Sequence, residues 1–356
     1  MKSMLSLVVL GLAVALSGPA KAAADFAGKR IEWIIPFPEA GGTDVWARFF
    51  VEPLGRELPG KPTIIIRNVP GGGSITGANQ FAQRAKPDGL MLLGTSASTQ
   101  FPYLLDDPRV KYDYKEWTAL LASPTGGVVF VRPDFGVKAV NEIQKLAGQT
   151  LKFGSQGAVS LDLIPLLAFE MLGIKVEPVF GMSRGQARLA FERGEAGIDF
   201  QTTPAYVKQV MPLVQQGKAV PLFSFGVLDE SGNLQRDPSF RDMPHFGEVY
   251  ELVHGKKPSG PAFEAYKSFL QAGFGAQKAL FVPRETPKDI VDAYTQAIER
   301  LLKNAEFRKT VDEELGDYEQ FTGERTTTLV KQATTVEPEA KQWIKDWLTK
   351  RYNVKF

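Results

Sequence analysis

Two stretches of the sequence combine a short apolar run, a glycine-rich turn and the start of a helix. The first is "IEWIIPFPEAGGTDVWARFF" at residues 31–50, and the second is "LKFGSQGAVSLDLIPLLAFEML" at residues 151–172. The first N–H groups of a helix lack partners within the helix, and the helix dipole adds partial positive charge there. Glycines let a ligand approach those groups, so each corner is a candidate anion site.

Residue types at the two corners predict where each helix begins. Thr43 is a suitable N-cap for the first helix, and Asp44 follows in its first turn. At the second corner, Ser160 and Asp162 are both candidate caps. Pro165 favours Asp162, because a cap at Ser160 would place the proline at the fifth helical position, where it disrupts a helix.

Short β-branched and aliphatic runs alternate with helical patterns around both corners. Residues 31–36, 63–67 and 90–94 predict buried strands of a parallel sheet with helices between them, and the alternation returns after residue 150. In an open α/β sheet, ligands bind beyond the carboxyl ends of the strands. Two such domains facing each other would direct both corners into one cleft.

The chain length predicts more than one domain. At 356 residues, it exceeds the size at which a single hydrophobic core usually divides. We predict a first lobe at residues 25–123, to which parts of 226–356 return, and a second lobe at 124–225. Residues 226–276 are expected to form a surface excursion, and 277–356 a crossing strand followed by C-terminal helices.

The first 24 residues have the pattern of an export signal peptide. Lys2 provides a positive start, and residues 4–16 form an apolar core that is short for a membrane span. Ala-Lys-Ala and Ala-Ala-Ala near positions 20–24 suit cleavage. An uncleaved membrane anchor is the alternative. The chain has no cysteine, which excludes a lipidated cysteine, disulfides and thiolate metal sites. These features predict a periplasmic location.

The charge balance argues against nucleic acid as a partner. Basic residues number 42 and acidic residues 40, and cleavage of the signal would remove only Lys2 and Lys21. The remaining chain is therefore close to neutral. Binding to a phosphate backbone needs a basic face, which a neutral chain does not favour.

Motifs of common enzyme classes are absent from the sequence. There is no P-loop and no G-x-S-x-G elbow, and "GGGSITG" at 71–77 does not fit a dinucleotide site. His245 and His254 are the only histidines, although histidine is the usual general base and metal ligand. These absences argue against catalytic residues, a metal site and a cofactor, while the two paired corners favour a binding protein. The alternative is a secreted α/β hydrolase with Ser155 or Ser160 near a histidine.

Five stretches, taken in order, resemble the receptors of tripartite tricarboxylate transporters, also called Bug-type periplasmic solute-binding proteins. They are "IIPFPEAGGTDVWARF", "IIIRNVPGGGSITGANQFAQRAKPDGLMLLGTS", "LKFGSQG", "RGEAGIDF" and "PRETPKDIVDAYTQAIERLLKNAEFR". The resemblance implies an α/β, type II periplasmic-binding-protein fold with two doubly wound lobes that close on a ligand. It implies capture of a small organic carboxylate and delivery to membrane permease subunits. We expect a monomer, and a sensor subunit for a signalling partner is the alternative.

The resemblance also assigns site residues by their position in the sequence. The two corner loops and the segments that follow two further strands are expected to line the cleft, together with one arginine. These residues are Phe37, Glu39, Ala40, Gly41, Gly42, Thr43, Asp44, Ser96, Ser98, Ser155, Gln156, Gly157, Ala158, Val159, Ser160, Arg184, Asp199, Thr202 and Thr203.

Three charged residues depart from the family pattern. Glu39 stands where many relatives have a small or apolar residue, so it either points to solvent or meets a polar or cationic part of the solute. Arg184 and Arg188 lie where the family commonly has a Pro-Tyr-x-Gly stretch. Either arginine could hold a second carboxylate in a bidentate fork, or both could lie on a solvated helix face.

Overall fold

The computed structural model describes residues 24–229 and 231–356. The predicted signal peptide lies outside the described residues, apart from Ala24. None of the helices in these two ranges is both long enough and apolar enough to cross a membrane.

The strands of the described residues are short, and most of them are buried. They are β1 (Arg30–Ile35), β2 (Thr63–Asn68), β3 (Met91–Ser96), β4 (Trp117–Ser123), β5 (Gly127–Val131), β6 (Thr150–Ser155), β7 (Lys175–Phe180), β8 (Ile198–Thr202), β9 (Val220–Ser224), β10 (Val227–Leu228), β11 (Leu234–Gln235), β12 (Lys278–Pro283) and β13 (Phe321–Thr322).

The α-helices lie between and after these strands. They are α1 (Gly42–Glu57), α2 (Ile75–Arg84), α3 (Ala97–Leu104), α4 (Leu163–Leu172), α5 (Arg184–Glu192), α6 (Thr203–Ala205), α7 (Met211–Gln215), α8 (Phe246–His254), α9 (Pro261–Phe274), α10 (Lys288–Lys303), α11 (Ala305–Leu315), α12 (Glu324–Ala333) and α13 (Pro338–Tyr352). A π-helical turn at Tyr206–Val210 joins α6 to α7.

The first lobe is built on a six-stranded sheet with the order β13-β4-β12-β3-β1-β2. Strand β1 runs parallel to β2 and β3, which confirms the predicted parallel strands. Strand β12 enters antiparallel between β3 and β4. The core of this lobe includes Trp33 and Trp46, which pack edge-on with their ring centroids 5.4 Å apart. These buried rings fix α1 against the sheet.

The second lobe repeats the plan on a five-stranded sheet with the order β7-β6-β8-β5-β9. Strand β6 runs parallel to β7 and β8, and β5 lies antiparallel to β8 and β9. Phe153, Phe169 and Phe200 are fully buried in its core. Two lobes of this kind confirm the predicted α/β class, and they bring the carboxyl ends of both sets of parallel strands to one cleft.

The structure differs from the predicted surface excursion at 226–276. Helix α9 is part of the core, since Tyr266 and Phe269 are fully buried. Phe269 packs edge-on against Phe101 at a centroid distance of 5.3 Å. Apolar residues recur every three or four positions in "PAFEAYKSFLQAGF", so one face of the helix buries itself. The charged and glycine-rich segment before this helix conceals its pattern in the sequence.

Candidate functional site

A cleft of about 360 Å³ lies between the two lobes. The first lobe contributes the loop between β1 and α1, the end of β3 and the start of β12. The second lobe contributes the loop after β6, helix α5 and the segment after β8. The lobes touch at Ser98, whose Oγ donates to Gln156 Oε1 at 3.3 Å and accepts from Leu161 N at 3.1 Å. The two lobes are therefore in contact at the wall of the cleft.

The first corner is shaped by the buried carboxylate of Asp44. It accepts hydrogen bonds from Ala40 N at 2.8 Å, from Arg48 Nε at 2.9 Å and from Asn68 Nδ2 at 2.9 Å. Burial alone would raise the pKa of Asp44, but these donors together lower it below its ordinary value. Asp44 therefore fixes the loop between β1 and α1, in which Ala40 has a left-handed backbone at φ 58°. Asp44 itself does not line the cleft.

The amino end of α1 opens onto the cleft. Helix α1 begins at Gly42 with Gly41 as its N-cap, and no side chain caps it. The predicted cap at Thr43 is wrong, because the N-cap lies two residues earlier, at Gly41. The hydrogen bond from Ala40 N to the Asp44 carboxylate stabilises this earlier start. A Cβ placed on Gly42 would lie 3.6 Å from Thr202 Oγ1 in the other lobe. The backbone of Gly42 therefore faces the second lobe across a gap about one side chain wide.

The second corner is also shaped by a buried carboxylate, that of Asp162. Helix α4 begins at Leu163 directly after Asp162, which confirms the choice made from Pro165. The Asp162 carboxylate does not cap the helix. It accepts from Ser155 Oγ at 2.8 Å and from Gln156 N at 2.6 Å, and so fixes the loop. With that backbone donor occupied, the Gln156 side chain is the group from this loop's tip that lines the cleft.

The Arg184 side chain stabilises the second corner through bonds within the second lobe. Its guanidinium donates to Gly154 O at 2.9 Å and to Phe200 O at 2.7 Å, and it pairs with Asp162 and Asp199. It also stacks over the Phe200 ring, with Cζ 4.1 Å from the centroid. Burial raises the pKa of Asp199 to about 6 and raises that of Asp162 above its ordinary value, although Arg184 opposes both shifts. The positive charge of Arg184 is thus already paired with carboxylates of the protein.

Comparison with known families identifies the chain. A model described as tripartite tricarboxylate transporter family receptor matches residues 47–338. The chain belongs to this receptor family. The family consists of solute-binding receptors, so the chain is a binding protein rather than an enzyme.

Individual relatives resemble this receptor over most of its length. The UPF0065 protein in the tcbD-tcbE intergenic region of Pseudomonas sp. (strain P51) is 25% identical over 318 residues, which cover 85% of this chain and 81% of the relative. Rpa4515 of R. palustris, solved with adipate, is 18% identical with a TM-score of 0.65, over 90% of this chain and 97% of its own. MatC of Rhodopseudomonas palustris, solved with malate, is 19% identical with a TM-score of 0.61 over the same shares. At these identities, the two solved structures support the fold alone.

The structure divides the predicted site residues of the receptor into two groups. One group lines the cleft and consists of Phe37, Glu39, Ala40, Gly41, Gly42, Thr43, Ser96, Ser98, Gln156, Arg184 and Thr202. The other group does not line the cleft and consists of Asp44, Ser155, Gly157, Ala158, Val159, Ser160, Asp199 and Thr203. Polar side chains of the second group are bonded within the protein instead. Ser160 Oγ, for example, donates to Gly157 O at 2.6 Å, and Thr203 Oγ1 lies 2.8 Å from Tyr318 Oη.

Sequence reasoning missed the start of β12 as part of the receptor's cleft. Gln277 and Lys278 both line it, and Lys278 is only 3% exposed. A lysine followed by the apolar run "ALFVP" is the signal that could have marked this position. A charged residue opening a buried strand needs a physical reason, because burial of an ammonium is costly.

Proposed function

We propose that this receptor captures a small organic carboxylate in the cleft and delivers it to the permease of a tripartite tricarboxylate transporter. The observation that carries the proposal is the uncapped amino end of α1, which opens at Gly41 and Gly42 onto the cleft. Its first N–H groups are donors without intrahelical partners, next to the positive end of the helix dipole. A carboxylate supplies the acceptors that these donors need.

Contact between the lobes at the cleft supports capture rather than loose association. Ser98 and Gln156 meet across the cleft, so the two lobes can hold a solute between them. Removal of water from such a site strengthens each polar contact to the solute. Malate and adipate in two proteins of similar fold agree with a carboxylate as the solute.

The hydrolase alternative lacks a histidine in the cleft. His245 caps helix α8 by accepting from Gly247 N at 3.0 Å, and His254 Nε2 lies 2.9 Å from Met171 O. Neither histidine lines the cleft. Ser155 Oγ donates to Asp162, whose carboxylate is already paired with Arg184, and Ser155 does not line the cleft.

The proposal includes a location and an assembly state. The export pattern of the first 24 residues and the family together support a periplasmic receptor. We propose that it works as a single chain that meets the permease only for delivery. Uptake of the solute by cells that lack the receptor, with and without restoration of the gene, tests that delivery step.

A thermal-stability screen tests carboxylate binding directly. We expect malate, adipate, citrate or benzoate to raise the Tm by several degrees, because a ligand at 100 times its Kd stabilises the folded state by about 2.7 kcal/mol. The corresponding neutral amides serve as controls and are expected to have little effect. If no acid in this panel raises the Tm, carboxylate capture is contradicted.

A further inference from the structure

Lys278 lies at the end of an interior strand of the first sheet, where that sheet borders the cleft. It is the first residue of β12, and its partners in the neighbouring strands are Ser96 of β3 and Ser123 of β4. Strand β1, which leads into the first corner, lies two strands away in the same sheet. At about 4.8 Å per strand, that places the two positions about 10 Å apart. One small solute can therefore reach both.

The ammonium of Lys278 has no carboxylate partner among the described residues. Its Nζ donates to Gln277 Oε1 at 2.7 Å, and an ammonium can donate three hydrogen bonds. Both strand neighbours present hydroxyl side chains, which carry no charge. Burial lowers the pKa of Lys278 to about 7.

The other cationic side chains that line the cleft all have carboxylate partners. Arg184 pairs with Asp162 and Asp199, Arg188 pairs with Glu192, and Lys208 pairs with Glu314. Glu39 is the remaining charged side chain of the lining, and it is exposed. Lys278 is therefore the cleft cation, within the described ranges, that still needs an anion.

A buried cation without a counter-charge is unfavourable unless something supplies that charge. The solute is the available source, because Lys278 lines the cleft rather than a closed core. Backbone N–H groups at the first corner can donate to any oxygen, including the carbonyl of an amide. An ammonium favours an oxygen that carries negative charge.

We propose that the Lys278 ammonium forms an ion pair with an anionic group of the solute and selects an acid over its neutral amide or ester. The inference rests on the proposed function, since it assumes that the solute enters this cleft. Binding of an anion beside Lys278 raises the pKa of the lysine. Above about pH 7, the receptor therefore takes up a proton when it binds, and its affinity falls as the pH rises through that value.

Calorimetry on wild type, Lys278→Met and Lys288→Met tests this role. The probe is whichever of malate, adipate, citrate and benzoate raises the Tm most. Lys288 is an exposed lysine of α10 outside the cleft, so its variant is the matched control. We expect Lys278→Met to bind at least ~30-fold more weakly, as for loss of one partner of a buried ion pair. The control should bind like wild type.

Titrations in two buffers with different ionisation enthalpies give the second readout. Wild type is expected to take up close to one proton per solute at about pH 8 and far less at about pH 6, whereas Lys278→Met takes up none. Lys278→Met should keep its Tm, because methionine fits an apolar strand and removes a buried charge. Equal affinity of the two proteins, with no proton uptake by wild type, would overturn the role of Lys278 and leave carboxylate capture standing. Failure of wild type to bind any of the four acids would overturn both.

Discussion

Replacing Gly42 with valine is expected to abolish solute binding while the receptor stays folded. The Cβ of any residue here points at Thr202 Oγ1, 3.6 Å away across the cleft. The methyl groups of valine extend further, into the space where we propose that a solute oxygen approaches the amino end of α1. Steric exclusion combined with loss of backbone hydrogen bonds predicts at least ~100-fold weaker binding.

The fold is expected to tolerate the valine because the substitution adds steric bulk only in the cleft. Gly42 does not have a positive φ, so a side chain introduces no backbone strain. Valine is also a better helix former than glycine. Calorimetry and thermal melting measure the two effects separately, and Gly42→Ala is the graded control, expected to lose less than tenfold in affinity. A folded Gly42→Val variant with wild-type affinity would show that the solute does not use this corner.

Replacing Arg184 with methionine is expected to destabilise the receptor by about 3–5 kcal/mol, the usual cost of removing one partner of a buried ion pair. Asp162 and Asp199 would remain fully buried without their shared cation. The second corner would lose its support as well, because the guanidinium also holds Gly154 O. Chemical denaturation of wild type and variant measures the difference in the free energy of unfolding.

The sign of the pH dependence provides an internal check on this variant. A carboxylate whose pKa is higher in the folded state contributes stability at low pH, and that contribution is lost as the pH rises through the folded pKa. The pKa of Asp199 is already raised to about 6 in the wild type, and loss of Arg184 raises it further. The deficit of Arg184→Met is therefore expected to be smaller at about pH 5 than at about pH 8.

Arg188→Met is the matched control for this experiment. Arg188 lies on the same helix but pairs with Glu192, whose side chain is 31% exposed. Partly exposed pairs of this kind contribute at most about 1 kcal/mol. Equal losses of stability in the two variants would contradict the structural role assigned to Arg184.

The sequence predicted the features that depend on neighbouring residues. Alternating apolar runs and helical patterns are local signals, and they identified β1, β2 and β3 and the α/β class. Pro165 located the start of α4 because its effect on a helix is a property of the backbone itself. The glycines of both corners likewise marked where a strand turns into a helix.

Features that depend on tertiary partners could not be read in the same way. Thr43 has the right side chain for an N-cap, but the bond between Asp44 and Ala40 decides where α1 begins. The partners of Arg184 come from two separate segments, and their convergence is a product of the fold. Lys278 is visible in the sequence, yet only the packing of β12 between β3 and β4 brings it to the cleft.

The most direct test of the central claim is a crystal structure of the receptor with the acid that raises its Tm most. The account predicts a carboxylate oxygen within hydrogen-bond distance of a backbone N–H at residues 41–43. The same solute should reach Gln156 across the cleft, directly or through one water. A solute bound outside the cleft, or one whose carboxylate points to solvent away from Gly42, would contradict the account.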